Sequence, residues 1–65
     1  MKVENGYGVQ IDFDVAVSYM DDELREQIHD DMAPCSEQAF FDEYAYRHEN
    51  KFGETWELDT KNPNF

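Results

Sequence analysis

Sixteen carboxylate side chains against five lysines and arginines, in a chain of 65 residues, impose a net charge of −11 on whatever fold forms. Self-repulsion of that size works against compaction. A chain this short also buries only a small core, near the lower limit for folding without a staple. Cys35 is the only cysteine, so no internal disulfide is possible. Compensating apolar burial must come largely from the aromatic residues, 15% of the chain, which run from Tyr7 to Phe65. That spread argues against a disordered acidic tail, which characteristically lacks aromatics. The expectation is one compact acidic domain over residues 1–59, followed by a flexible C-terminal tail at 60–65.

Asn5-Gly6 is the clearest turn signal. A three-residue loop of Glu4, Asn5 and Gly6, with Gly6 left-handed beside a bulge, pairs Val3 with Tyr7 and Met1 with Val9. Met1, Val3, Tyr7, Val9 and Ile11 then share one face. Beyond Ile11 the apolar period changes from two to about 3.6. Asp12 can cap a short helix whose stripe is Phe13, Ala16, Val17 and Met20, and Asp21 or Asp22 a second, with Leu24, Ile28 and Met32 inward. Pro34 stops the second helix. Ser36 caps a third, on which Phe41, Tyr44, Ala45, His48 and Phe52 form an apolar seam with Phe40 at its edge, and Gly53 ends it. Trp56 and Leu58 fall on one face of a strand over Glu54–Leu58. The expected fold class is α+β: an N-terminal β-hairpin, three consecutive helices, and one C-terminal strand joining a small antiparallel sheet.

With Leu24, Ile28 and Met32 facing inward, Glu23, Glu26 and Asp30 line the opposite meridian of the second helix, with Asp22 on its flank. Asp42, Tyr46 and Glu49 point outward together on the third. A solvated face that keeps a small protein soluble is the ordinary explanation of such rows. Asp30 and Asp31 resist it, because they lie in the last turn of their helix, where the macrodipole disfavours anions. A body of this length has a radius of gyration of roughly 11 Å, and duplex DNA carries one charge per ~1.7 Å of axis. The charge density thus approaches that of a polyanion and fits a cationic groove built for nucleic acid. The candidate partner-binding residues are Asp22, Glu23, Glu26, Asp30, Asp31, Asp42, Tyr46 and Glu49.

Other chemistry is poorly supported. Glu26 and His29 have a Glu-x-x-His spacing, but the second such pair required by di-iron bundles is missing. The Asp12, Asp14 segment begins like a calcium loop yet has Val17 where glycine is needed. Cys35, between Pro34 and Ser36, reads as a small packing residue, and His48 as a satisfied core histidine within reach of Glu37. No glycine-rich phosphate loop is present, and five dispersed cations cannot build a nucleic-acid groove. The chain is expected to be a monomer, with no catalytic residues, no cofactor, no metal, and no direct contact with nucleic acid or membrane. Its lone cysteine and lack of a leader-like apolar run point to a cytoplasmic location.

The stretches Met20 to Arg25 and Ala33 to Asp42, with His48 and Lys51-Phe52-Gly53, resemble short acidic proteins carried by phages and mobile elements. The chain as a whole is similar to small anti-CRISPR proteins of the kind that block type I-C systems. The resemblance implies a partner in the host bacterial cytoplasm: the RNA-guided surveillance complex, and within it the basic DNA-binding surface of the large subunit that recognises the short DNA motif beside the target. Joined to the charge argument, it yields an expected role as an acidic DNA mimic that blocks target DNA binding. The alternative is an acidic interaction module, an antitoxin or a regulator of a basic enzyme, that binds through a non-DNA site.

Overall fold

A computed structural model describes residues 1–63. The order is β1 (Lys2–Glu4), β2 (Gln10–Asp12), α1 (Phe13–Ser18), α2 (Asp22–Met32) and α3 (Glu37–Phe52), the expected α+β arrangement of hairpin and three helices. Each helix starts where a side-chain oxygen takes up an otherwise unpaired backbone donor. Asp12 accepts from the Asp14 N–H at 3.0 Å, Asp21 from Leu24 at 3.2 Å, and Ser36 from Ala39 at 3.1 Å. Gly53, left-handed at φ 74°, closes α3 with its N–H bonded to the Glu49 carbonyl.

The hairpin uses a different register from the one its pattern predicts. Val3 pairs with Ile11, Lys2 with Asp12 and Glu4 with Gln10, so residues 5–9 form the loop. Gly8, not Gly6, is the left-handed residue there, at φ 81°. Met1 and Tyr7 consequently lie exposed, while Val3 and Ile11 are buried. The cause is Asn5, which is not an exposed turn tip but a buried residue, 5% accessible. Its Oδ1 accepts from the N–H groups of Tyr7 and Val9, and its Nδ2 donates to the carbonyls of Leu58 and Thr60. A three-residue loop would place Asn5 at the tip and forfeit that whole set.

Those same bonds explain why Glu54–Leu58 is not a strand. Among the described residues the sheet has two strands only. The C-terminal segment is held instead by side chain to backbone bonds, from Asn5 and from Asp59, whose Oδ1 accepts the Gly6 N–H at 3.0 Å. The expected burial of Trp56 and Leu58 is found without the ladder: Leu58 is fully enclosed, and Trp56 packs on Phe41 and Tyr44 at ring-centroid distances of 5.2 and 4.4 Å. Of the expected tail, Thr60 bonds to Asn5, and Asn64 and Phe65 lie outside the described residues.

The core is one cluster between the hairpin and the helices, with Ala16, Met20, Leu24, Ile28, Phe41 and Tyr44 at its centre and Phe13, Val17, Met32 and Phe40 packed on its rim. Phe52 departs from the predicted seam. It is about half exposed, its ring tilted against that of His48 at a centroid distance of 4.7 Å, with Lys51 Nζ 5.3 Å from its centroid. The radius of gyration is 10.8 Å, close to the value expected from length alone.

Candidate partner-binding surface

Three of the predicted α2 carboxylates carry intramolecular partners. Asp22 meets Arg25 at 3.2 Å, Glu23 meets Lys51 Nζ at 3.6 Å, and Asp31 meets Arg47 at 2.9 Å. Glu43, Arg47 and Lys51 recur every four residues, so they form the flank of α3 that faces α2. Arg47 bridges Asp31 and Glu43, and Lys51 bridges Asp21 and Glu23. The two bridges tie the helices side by side. They also set local protonation. Glu43 and then Asp31 hold the Arg47 guanidinium more firmly charged than usual. For Lys51, partial desolvation opposes the charge, but Asp21 and Glu23 together outweigh it and raise the pKa. Asp21 is held below the ordinary carboxylate range, chiefly by the Leu24 N–H it caps, against a smaller desolvation effect.

Glu26 and Asp30, the centre of the predicted row, make no ion pair among the described residues and edge a shallow concavity with Arg25 and His29. On α3, Asp42, Tyr46 and Glu49 lie on a flank away from α2. With Gly6, Ala45 and Asp59 they line a second concavity. Tyr46 stands at this site 66% exposed. Among the described residues Asp42 accepts only from the neutral Gln38 amide, at 3.0 Å, and that same amide group ties α3 to the Glu4 backbone. The structure therefore divides the predicted residues into two sets. One comprises Asp22, Glu23, Glu26, Asp30 and Asp31 on α2, partly neutralised. The other is Asp42, Tyr46 and Glu49 on α3, with no lysine or arginine paired to it among the described residues. Glu26 and Asp30 edge one concavity and the α3 set another, and no hydrogen bond or ion pair joins the sets among the described residues.

Asp59 is a member that sequence reasoning missed, since nothing near it in the chain hints that it will sit beside Gly6. The Glu43, Arg47, Lys51 bridges were missed too, although their four-residue spacing is visible in the sequence. His48 does not bond to Glu37. Its Nδ1 lies 3.1 Å from the Glu54 carbonyl, which fixes it as the donor, while Glu37 Oε1 is enclosed without a hydrogen-bond partner among the described residues. Cys35 is exposed, so it is not a packing residue. Tyr44 spans the core and accepts the Asp21 N–H at 2.7 Å; burial pushes its phenol pKa up, against the opposing pull of that donor. Among the described residues, no helix is long and apolar enough to cross a membrane and no group of three or more His, Cys, Asp or Glu is placed to hold a metal ion.

No curated protein matches this chain. A family model does: the one described as Anti-CRISPR protein AcrIC5 aligns with residues 4–56, from the end of β1 through α3 to Trp56. That span contains every predicted partner-binding residue and both helices that present them. The chain therefore belongs to the AcrIC5 family of anti-CRISPR proteins, small inhibitors of type I-C CRISPR systems.

Proposed function

We propose that this inhibitor is an acidic DNA mimic that occupies the basic DNA-binding surface of a type I-C surveillance complex and blocks target DNA binding. The observation that carries the reading is the charge left without an internal counterpart. Only Asp21, Asp22, Glu23, Asp31 and Glu43 pair with a lysine or arginine among the described residues, leaving eleven of sixteen carboxylates unpaired.

Helical backbone sets the spacing of several of them. Glu26 and Asp30 are separated by about 6 Å of helix rise, and Asp42 and Glu49 by about 10.5 Å. These match two and three phosphate steps of ~3.4 Å along one DNA strand. Lysines and arginines that neutralise phosphates do so without reading sequence, so carboxylates at phosphate-like intervals satisfy them. Asp22, Glu23 and Asp31 join the same contact by exchange, because their surface ion pairs contribute only ~0–1 kcal/mol each. Tyr46 supplies an aromatic anchor between Asp42 and Glu49. The exposed Tyr46 equally favours a second reading, an interaction module that docks on a non-DNA site through an aromatic contact.

The two readings separate in a DNA-binding assay in which the surveillance complex is titrated with inhibitor. Occlusion predicts that saturating inhibitor abolishes duplex binding, and that Glu26→Gln with Asp30→Asn, or Asp42→Asn with Glu49→Gln, restores it while the variants stay folded. Unchanged DNA affinity at saturating inhibitor rejects occlusion.

A further inference from the structure

Asn5 is followed by Gly6, and its side chain is the most heavily bonded polar group in the hairpin loop. We infer that Asn5 is a deamidation site that the native fold protects and that unfolding exposes, so that loss of structure becomes irreversible. In the reaction the Gly6 backbone nitrogen attacks Asn5 Cγ. The new N–Cγ bond closes a cyclic imide, the Cγ–Nδ2 bond breaks, and ammonia leaves with the proton that Gly6 gives up. Water then opens the imide at one carbonyl or the other, yielding aspartate or isoaspartate. Water is the only co-reactant, and nothing is oxidised or reduced.

Glycine at position 6 favours this attack, because a residue without Cβ leaves its nitrogen unhindered and its backbone free to reach the required geometry. Asn62 precedes Pro63, which has no N–H to give up. Asn50 precedes Lys51 inside α3 and has its amide bonded to the Tyr46 carbonyl. Asn5 is thus the susceptible position among the described residues, and the fold blocks it from both ends. The electrophile is pinned by two bonds at Oδ1 and two at Nδ2, all between 2.8 and 3.0 Å. The nucleophile is pinned as well, since the Gly6 N–H is directed at Asp59 Oδ1 at 3.0 Å. Rotation of the Asn5 amide toward Gly6 must break this set and release the C-terminal segment. After conversion, a carboxylate would face the Leu58 and Thr60 carbonyls with no proton to donate, and the chain would carry one negative charge beyond −11.

The test holds the full chain at mildly alkaline pH, once folded and once in denaturing urea, and follows Asn5 by peptide mass mapping with Asn50 as internal reference. Open states of a domain this small are populated at about one part in a hundred or less, so Asn5 should convert at least ~100-fold more slowly in the folded sample. Equal rates in the two samples would overturn the inference. Gly6→Ala keeps the fold testable, because the added Cβ meets only Asp59 Oδ1, at 3.4 Å, and φ at residue 6 is not positive. That variant should convert more slowly in urea; an unchanged rate would remove Gly6 as the nucleophile. Asn5→Asp, made directly, should fail to regain the parent's urea midpoint, and full recovery would contradict irreversibility.

Discussion

Replacing Asn5 by alanine removes four hydrogen bonds that join the hairpin loop to itself and to the C-terminal segment. Each is worth about 1 kcal/mol net, and groups left buried without a partner cost more. Tyr7 N and Val9 N lose their acceptor, and the Leu58 and Thr60 carbonyls lose their donor. Some of these groups lie near the surface and regain water when the segment loosens, so the expected loss is about 3 kcal/mol rather than the sum with every desolvation penalty added. A domain of this size has roughly 3–5 kcal/mol in all. Asn5→Ala should therefore remain only marginally folded at 25 °C. Urea titration monitored by Trp56, the only tryptophan and buried against Phe41 and Tyr44, measures it directly. Asn50→Ala is the comparator: an exposed site with one 3.2 Å bond to Tyr46, expected to change stability by no more than ~0.5 kcal/mol. If the two variants unfold within ~0.5 kcal/mol of each other, the reasoning that Asn5 sets the hairpin register and docks the C-terminus is refuted.

Further perturbations probe other parts of the account. Glu57 is the second residue of a turn closed by the Asp59 N–H on the Trp56 carbonyl at 2.9 Å, and no non-glycine residue among those described has positive φ, which makes the turn type I. Glu57→Pro should leave the urea midpoint unchanged or raise stability by up to ~1 kcal/mol; a collapse of the midpoint would mean that the segment needs the backbone donor of a strand. Thermal unfolding should shift upward between low salt and 0.5 M NaCl, because screening relieves repulsion among the unpaired carboxylates; a flat or falling midpoint would show that the charge does not strain the fold. The depressed Asp21 pKa adds stability that is complete above the unfolded value near ~3.9 and disappears as pH falls through the folded value. Asp21→Asn preserves a good helix cap while abolishing that titration, so its urea midpoint should fall less steeply below pH ~4 than the parent's; parallel profiles would contradict the assignment.

Local chemistry was readable in the sequence wherever the deciding interaction was short-range. Asp12, Asp21, Ser36 and Gly53 mark helix ends through bonds within a few residues, and the stripes through Ala16, Leu24, Ile28 and Phe41 follow from helical period alone. The hairpin register was not readable, because Asn5 answers to Leu58 and Thr60, more than fifty residues away. The same distant bonds replaced the expected strand at Glu54–Leu58, although the burial of Trp56 and Leu58 survived, since that depends on side-chain chemistry rather than on a ladder. Among the proposed contact residues, helical period placed Glu26 and Asp30 on one face and Asp42, Tyr46 and Glu49 on another. It did not reveal that Lys51 and Arg47 would engage Glu23 and Asp31, or that Asp59 would join the Tyr46 concavity. These depend on how α2 and the C-terminal segment settle against α3, which is a tertiary outcome.

Mutual displacement at equilibrium tests the DNA-mimic reading most directly. Labelled duplex carrying the recognised motif is bound to the type I-C surveillance complex and titrated with inhibitor at several salt concentrations. A phosphate-like acidic surface predicts strict competition, each ligand excluding the other, with inhibitor affinity falling steadily as salt rises. A ternary complex holding duplex and inhibitor together, or an inhibitor affinity indifferent to salt, would contradict it.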